Sequence, residues 1–230
     1  MQKISLTILV FALIFSYNVS AARAERITVS AKSAVVMEAS TGRVLYQKNA
    51  HEKMPMASTT KIMTALVAIE NSNLSDMVTV SANASGVEGS SIWLSPGETM
   101  MLADLLFGLM LASGNDAAIA IAEHVGGDVE TFVGMMNDKA REIGAYNTHF
   151  VNPNGLPAGD HYTTAYDLAL ISAYAMQNKT FRHLINADYA RLTRDTPGRL
   201  MSKLTNDIQF IQQAAQGANE DKTTRTPTNG

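Results

Sequence analysis

Residues 34–38 and 43–47 are aliphatic and β-branched runs separated by Ala39-Ser40-Thr41-Gly42, which predicts a hairpin with its turn residues in place. Beyond Pro55 the period lengthens. Ile62, Met63, Leu66 and Ile69 recur at spacings of three and four, so a helix is expected to start near Ser58 and to end at Asn71 to Asn73. Residues 72–99 are polar and punctuated by Gly86, Gly89, Pro96 and Gly97, which reads as loop or short irregular structure with Trp93 as its strong anchor. Residues 100–112 are apolar on nearly all sides, as in a helix buried inside a domain, and the run is too short to span a bilayer. Residues 117–125 and 129–143 predict a helix pair around Gly126-Gly127, Asn152-Pro153-Asn154-Gly155 a turn, and 164–176 another helix capped by Thr163. From 212 to 230 there is no Ile, Leu, Val, Met, Phe, Trp or Tyr, so that stretch is expected to fray. Together these elements predict an α+β fold, with an antiparallel sheet begun by the hairpin and packed with a mostly helical region from about 58 to 178.

Composition narrows the classes. At 46% hydrophobic and 17% charged the chain can bury a sizeable core, which excludes a disordered tail, a collagen or a disulfide scaffold. A net charge of -3 provides no basic footprint, so nucleic acid is not an expected partner. Having no Cys removes thiol nucleophiles and zinc thiolates together. Any nucleophile must be an oxygen or a nitrogen. At the start, Lys3, the apolar run 4–15 and Ala22-Arg23-Ala24 form the pattern of a signal peptide over 1–24, with the mature chain beginning at Glu25. Losing Lys3 and Arg23 makes the exported product more acidic.

Ser58-Thr59-Thr60-Lys61 puts a hydroxyl and an amine on one face of a helix start, where the amine can take the hydroxyl proton during attack on a carbonyl. The same spacing fits a helix cap with a solvated lysine. Ser113-Gly114-Asn115 lies between two predicted helices, where a short polar turn can be held rigidly, and it also fits a pair of turn and capping residues. His51-Glu52-Lys53-Met54-Pro55 opens like a zinc-protease helix, but Pro55 stands where a second histidine is needed. His124, His149, His161 and His183 lack ligand spacing, so neither a metal nor another cofactor is implied.

Residues 56–65 and 109–118, which carry the two motifs, resemble the serine D-alanyl-D-alanine carboxypeptidases, the low-molecular-mass penicillin-binding proteins. Asn147-Thr148-His149-Phe150-Val151-Asn152-Pro153 and His161-Tyr162-Thr163-Thr164-Ala165-Tyr166-Asp167-Leu168 resemble that family's middle region, and the likeness covers about residues 30 to 190. It implies a β-lactamase-like fold with a catalytic domain over 25–211. By the resemblance Ser58 is the acylated nucleophile, Lys61 its base, Ser113 a proton relay, and Asn115 the holder of the substrate amide. The substrate class it implies is the peptidoglycan pentapeptide, with β-lactams as covalent inhibitors and the cell envelope as location, in peptidoglycan biosynthesis and cell shape.

The family's third motif, Lys-Thr-Gly, is expected at Lys222-Thr223-Thr224 in the polar tail 212–230, where Lys222 and Thr223 would bind substrate and Thr224 replaces the glycine. A branched side chain there obstructs a substrate backbone, which predicts low turnover even where acylation succeeds. The sequence ends at Gly230, before the further strands and membrane anchor of relatives, so an incomplete sheet and a truncated or diverged form are expected. Two other functions compete. A non-catalytic penicillin- or peptidoglycan-binding module gains weight from Thr224; a class A β-lactamase loses it, because no Glu-x-x-Leu-Asn follows Ser113.

Overall fold

The computed structural model describes residues 28–194 and the strand 203–205; the fold is carried by the unit that begins at Lys32. The expected leader over 1–24 and the tail over 212–230 lie outside the described residues. The elements run β1 (Ala34–Met37), β2 (Val44–Lys48), a 3-10 turn (Ala57–Thr60), α1 (Lys61–Asn71), β3 (Met77–Thr79), β4 (Thr99–Met101), α2 (Leu102–Leu111), α3 (Asn115–Gly126), α4 (Val129–Ile143), α5 (Ala165–Ala175), α6 (Lys179–Ile185), β5 (Tyr189–Arg191) and β6 (Lys203–Thr205). The α+β architecture is the expected one. Its described strands form three two-stranded antiparallel ladders, β1-β2, β3-β4 and β5-β6.

The hairpin forms where the pattern put it, in the register Ala34↔Lys48 to Val36↔Tyr46 with an irregularity before Met37. Its turn closes through the Gly42 N–H on the Glu38 carbonyl, with Gly42 at φ +72. β1 packs on α5. Helix α1 is the axis of the domain: all eight residues from Lys61 to Ala68 are buried, and it touches each of the other described helices. Its start is therefore held from several sides, which matters for whatever its first turn carries. Helix α2 buries Leu102, Leu105, Leu106 and Leu109 completely, each side chain contributing about 1.5–3 kcal/mol of transfer free energy. Among the described residues no helix is long and apolar enough to cross a membrane.

Three expectations are corrected. The polar stretch 72–99 holds β3 and the start of β4, paired Met77↔Met101, Val78↔Met100 and Thr79↔Thr99, so the apolar run at 100 opens as a strand before turning into α2. Trp93 does not anchor that stretch: it is 74% exposed, while its neighbours Ile92 and Leu94 are buried. The chain there is fixed by polar groups instead, including the buried Arg194–Glu98 ion pair at 2.6 Å, from which Arg194 also donates to the Ile92 carbonyl. Finally, α5 is capped by Thr164, whose Oγ1 accepts the Asp167 N–H at 3.0 Å; Thr163 lies one residue earlier and bonds to Thr148.

Candidate active site

The first turn of α1 is shaped before the helix begins. Ala57 has φ +44, a left-handed conformation that costs a non-glycine residue, and it delivers Ser58 exposed while Lys61, one turn on, is 2% exposed. Lys61 Nζ lies 2.7 Å from Asn115 Oδ1, 2.6 Å from the Asn154 carbonyl and 3.5 Å from Ser58 Oγ. The turn that supplies Asn154 is clipped to α1 a second time, since Thr64 Oγ1 donates to the Pro153 carbonyl at 2.6 Å. Within the turn the Asn152 side chain accepts the Gly155 N–H and donates to the Leu156 carbonyl. Gly155 has φ +89 and lies so close to Ala57 that a Cβ on it would come within 2.0 Å of the Ala57 oxygen.

Asn115 begins α3 and is oriented from both ends. Its Nδ2 donates to the Glu88 carbonyl at 2.6 Å and its backbone N–H to the Ser90 carbonyl at 2.7 Å, which fixes the amide with Oδ1 toward Lys61. The next residue, Asp116, is fully buried and accepts from Ser91 Oγ and from the N–H groups of Ile92 and Leu94. Its charge is spent on holding the 88–94 segment against α3.

Burial pushes Lys61 down to about 8, against the opposing pull of the Asp116 carboxylate. A neutral amine has two N–H bonds and one lone pair. Asn115 Oδ1 and the Asn154 carbonyl can only accept, so both N–H bonds are committed to them, and the lone pair is left for the hydroxyl of Ser58. The 3.5 Å separation is of the loose kind that resting sites show before substrate tightens them.

Ser113 sits at the joint of α2 and α3 with φ +55, and its Oγ is buried without a hydrogen-bond partner among the described residues. Buried hydroxyls are nearly always paired, so an orphan two residues from Asn115 is an available proton donor or acceptor. Lys222 and Thr223 lie outside the described residues. His161 packs, as expected of it. Its Nδ1 accepts the Val151 N–H, so the proton sits on Nε2 and points to Thr60 Oγ1 at 2.8 Å; burial, with His149 nearby, pushes its pKa down.

Sequence reasoning singled out Ser58, Lys61, Ser113 and Asn115, and the structure joins three of them through Lys61. It missed Asn154 and Gly155, read only as a turn. The signal available was the Asn-Gly pair after a proline, which marks a tight backbone but not what it packs against.

An exposed serine hydroxyl with a buried amine 3.5 Å away is an arrangement that can carry serine acyl transfer. A profile of the D-alanyl-D-alanine carboxypeptidase family matches residues 18–227, and the chain belongs to that family. It is 38% identical over 208 residues to the D-alanyl-D-alanine carboxypeptidase DacF of Bacillus subtilis, covering 85% of this chain and 54% of the relative. With DacC of Escherichia coli it shares 38% over 174 residues, 71% of this chain and 42% of the other. The chain thus spans about half the length of these curated relatives. Among solved structures, a D-alanyl-D-alanine carboxypeptidase of Mycobacterium tuberculosis superposes with a TM-score of 0.76 at 30% identity, covering 84% of this chain and 72% of that one. A mutant of the Streptomyces K15 DD-transpeptidase gives 0.75 at 35% identity over 79% and 75% of the two chains.

Proposed function

We propose that this chain is the acyl-transfer domain of an exported carboxypeptidase that removes the terminal D-alanine from peptidoglycan stem peptides through an acyl-enzyme on Ser58. The observation that carries the reading is the buried Lys61 amine, held by two acceptors and 3.5 Å from Ser58 Oγ, so that on deprotonation its lone pair is left to Ser58. Ser58 Oγ attacks the carbonyl of the penultimate D-alanine while its proton passes to Lys61. The tetrahedral adduct then expels the terminal D-alanine, whose nitrogen takes a proton through Ser113, and water later cleaves the ester to free the shortened peptide. A β-lactam undergoes the same attack, but its leaving nitrogen stays tethered, so the ester persists. Asn115 holds the acyl-side amide of the substrate. Lys222 and Thr223 are assigned to the terminal carboxylate, and Thr224 in place of glycine favours slow turnover. The location that fits this chemistry is the cell envelope, after cleavage near Ala24.

Protonated Lys61 has no lone pair, so acylation should be slow below its pKa and rise through about pH 8, the value to which burial brings it. Stopped-flow acylation by benzylpenicillin as a function of pH reads this directly. A flat profile from about pH 5 to 10 would exclude an amine base.

A further inference from the structure

The segment that Asp116 holds against α3 presents Trp93 in an unusual way. A bulky residue rarely adopts φ +61, yet this conformation turns the indole outward between the buried Ile92 and Leu94. It is fixed from several sides: Asp116 takes the N–H groups of both neighbours, Ser91 Oγ takes the Trp93 N–H at 2.9 Å, and Arg194 donates to the Trp93 carbonyl. The structure thus maintains a strained backbone whose result is an exposed aromatic face, and such outliers cluster at ligand sites.

That face is one wall of a groove of about 400 Å³, whose other walls include Val87, Glu88, Gly89 and Leu94. The groove begins where the candidate active site ends. The Glu88 carbonyl receives Asn115 Nδ2, and a Cβ on Gly89 would lie 2.7 Å from that same atom. The Glu88 side chain is exposed and makes no ion pair among the described residues.

We infer that this groove is a subsite for an aliphatic arm ending in an amine, carried by the residue that precedes D-Ala-D-Ala in the substrate. The inference rests on the function proposed above. If Asn115 holds the acyl-side amide, the residue contributing that amide stands at the mouth of the groove. Val87, Leu94 and the indole face then receive the methylene chain, and the Glu88 carboxylate with the ring's negative face receives the cation. A substrate with a diamino acid at that position would be held by its free amine, so the groove would discriminate a free amine from one already acylated.

Trp93 is the chain's single tryptophan, so its emission reports on this wall alone. The full chain with Ser58→Ala should be titrated with Nα-acetyl-L-Lys-D-Ala-D-Ala and with the same peptide acetylated at Nε. The free amine should give a saturable emission change with a Kd at least about five-fold lower, and Glu88→Gln in the same background should erase the difference. Equal affinities, an emission that responds to neither peptide, or a preference that survives Glu88→Gln would overturn the subsite. Penicillin acylation of the unaltered chain, measured alongside, separates the two claims: acylation with equal peptide affinities removes only the subsite, whereas no acylation removes the parent reading whichever peptide binds.

Discussion

Replacing Gly155 with alanine should abolish most penicillin acylation of Ser58, although glycine brings no side chain to the site. Its added Cβ would sit 2.0 Å from the Ala57 oxygen, 2.5 Å from the Ala57 carbonyl carbon and 3.1 Å from the Ser58 nitrogen. These are backbone atoms of the turn that carries Ser58, and Ala57 is already left-handed at φ +44, so the turn cannot yield cheaply. The 152–155 turn must move instead, and it carries the carbonyls that hold Lys61 and Thr64. Overpacking of this kind costs about 1–3 kcal/mol, and displacement of a catalytic group by about 1 Å costs roughly 100-fold in rate. A fall in acylation rate of about that size, with a lowered urea midpoint, is the expected outcome. Gly127→Ala is the control: Gly127 has φ +81 but nothing within 4 Å of its added Cβ, so it should lose a little stability and no activity. Equal acylation by the two variants would show that the 155 contact does not position the nucleophile.

The second large effect is at Lys61. Lys61→Met keeps most of the apolar stem and removes the amine, leaving Asn115 Oδ1 and the Asn154 carbonyl without their donor. The lost hydrogen bonds cost about 1–3 kcal/mol, and relief from burying an amine offsets part of this, so the fold should survive. Acylation should fall by about 10²–10⁴, the range associated with loss of a positioned base. Lys61→Arg separates base from counterion, because a guanidinium keeps the charge but cannot give up its proton at accessible pH. It should be as inactive as the methionine variant. An arginine variant retaining a tenth of the rate would mean that residue 61 acts by charge alone.

Much of the domain was legible because its signals are local and periodic. The hairpin at 34–48, the helix after Ser58 and the pair at 115–143 each repeat their pattern over several residues, so the hydrophobic period finds them. Strands β3 and β4 have three residues each, too few for an alternation to register, and they exist because Val78 and Met100 bury against the core together. Trp93 departs from its expected place because large apolar residues usually go inside, and the pull of Asp116 on both neighbours reverses it here. At the site, Ser58 and Lys61 stand one turn apart, which is visible in one dimension, whereas Asn115, 54 positions from Lys61, was joined to them only by the family resemblance. The Asn154 carbonyl is a backbone group 93 positions from Lys61, and no side-chain identity encodes that meeting. Lys222 and Thr223 remain a proposal drawn from the motif alone.

Acylation of Ser58 is read from the intact mass of the folded chain after incubation with benzylpenicillin, followed by peptide mapping. A single covalent adduct is expected on the peptide containing Ser58, absent from Ser58→Ala. An adduct that persists in Ser58→Ala, or a folded unaltered chain that acquires none, would contradict it.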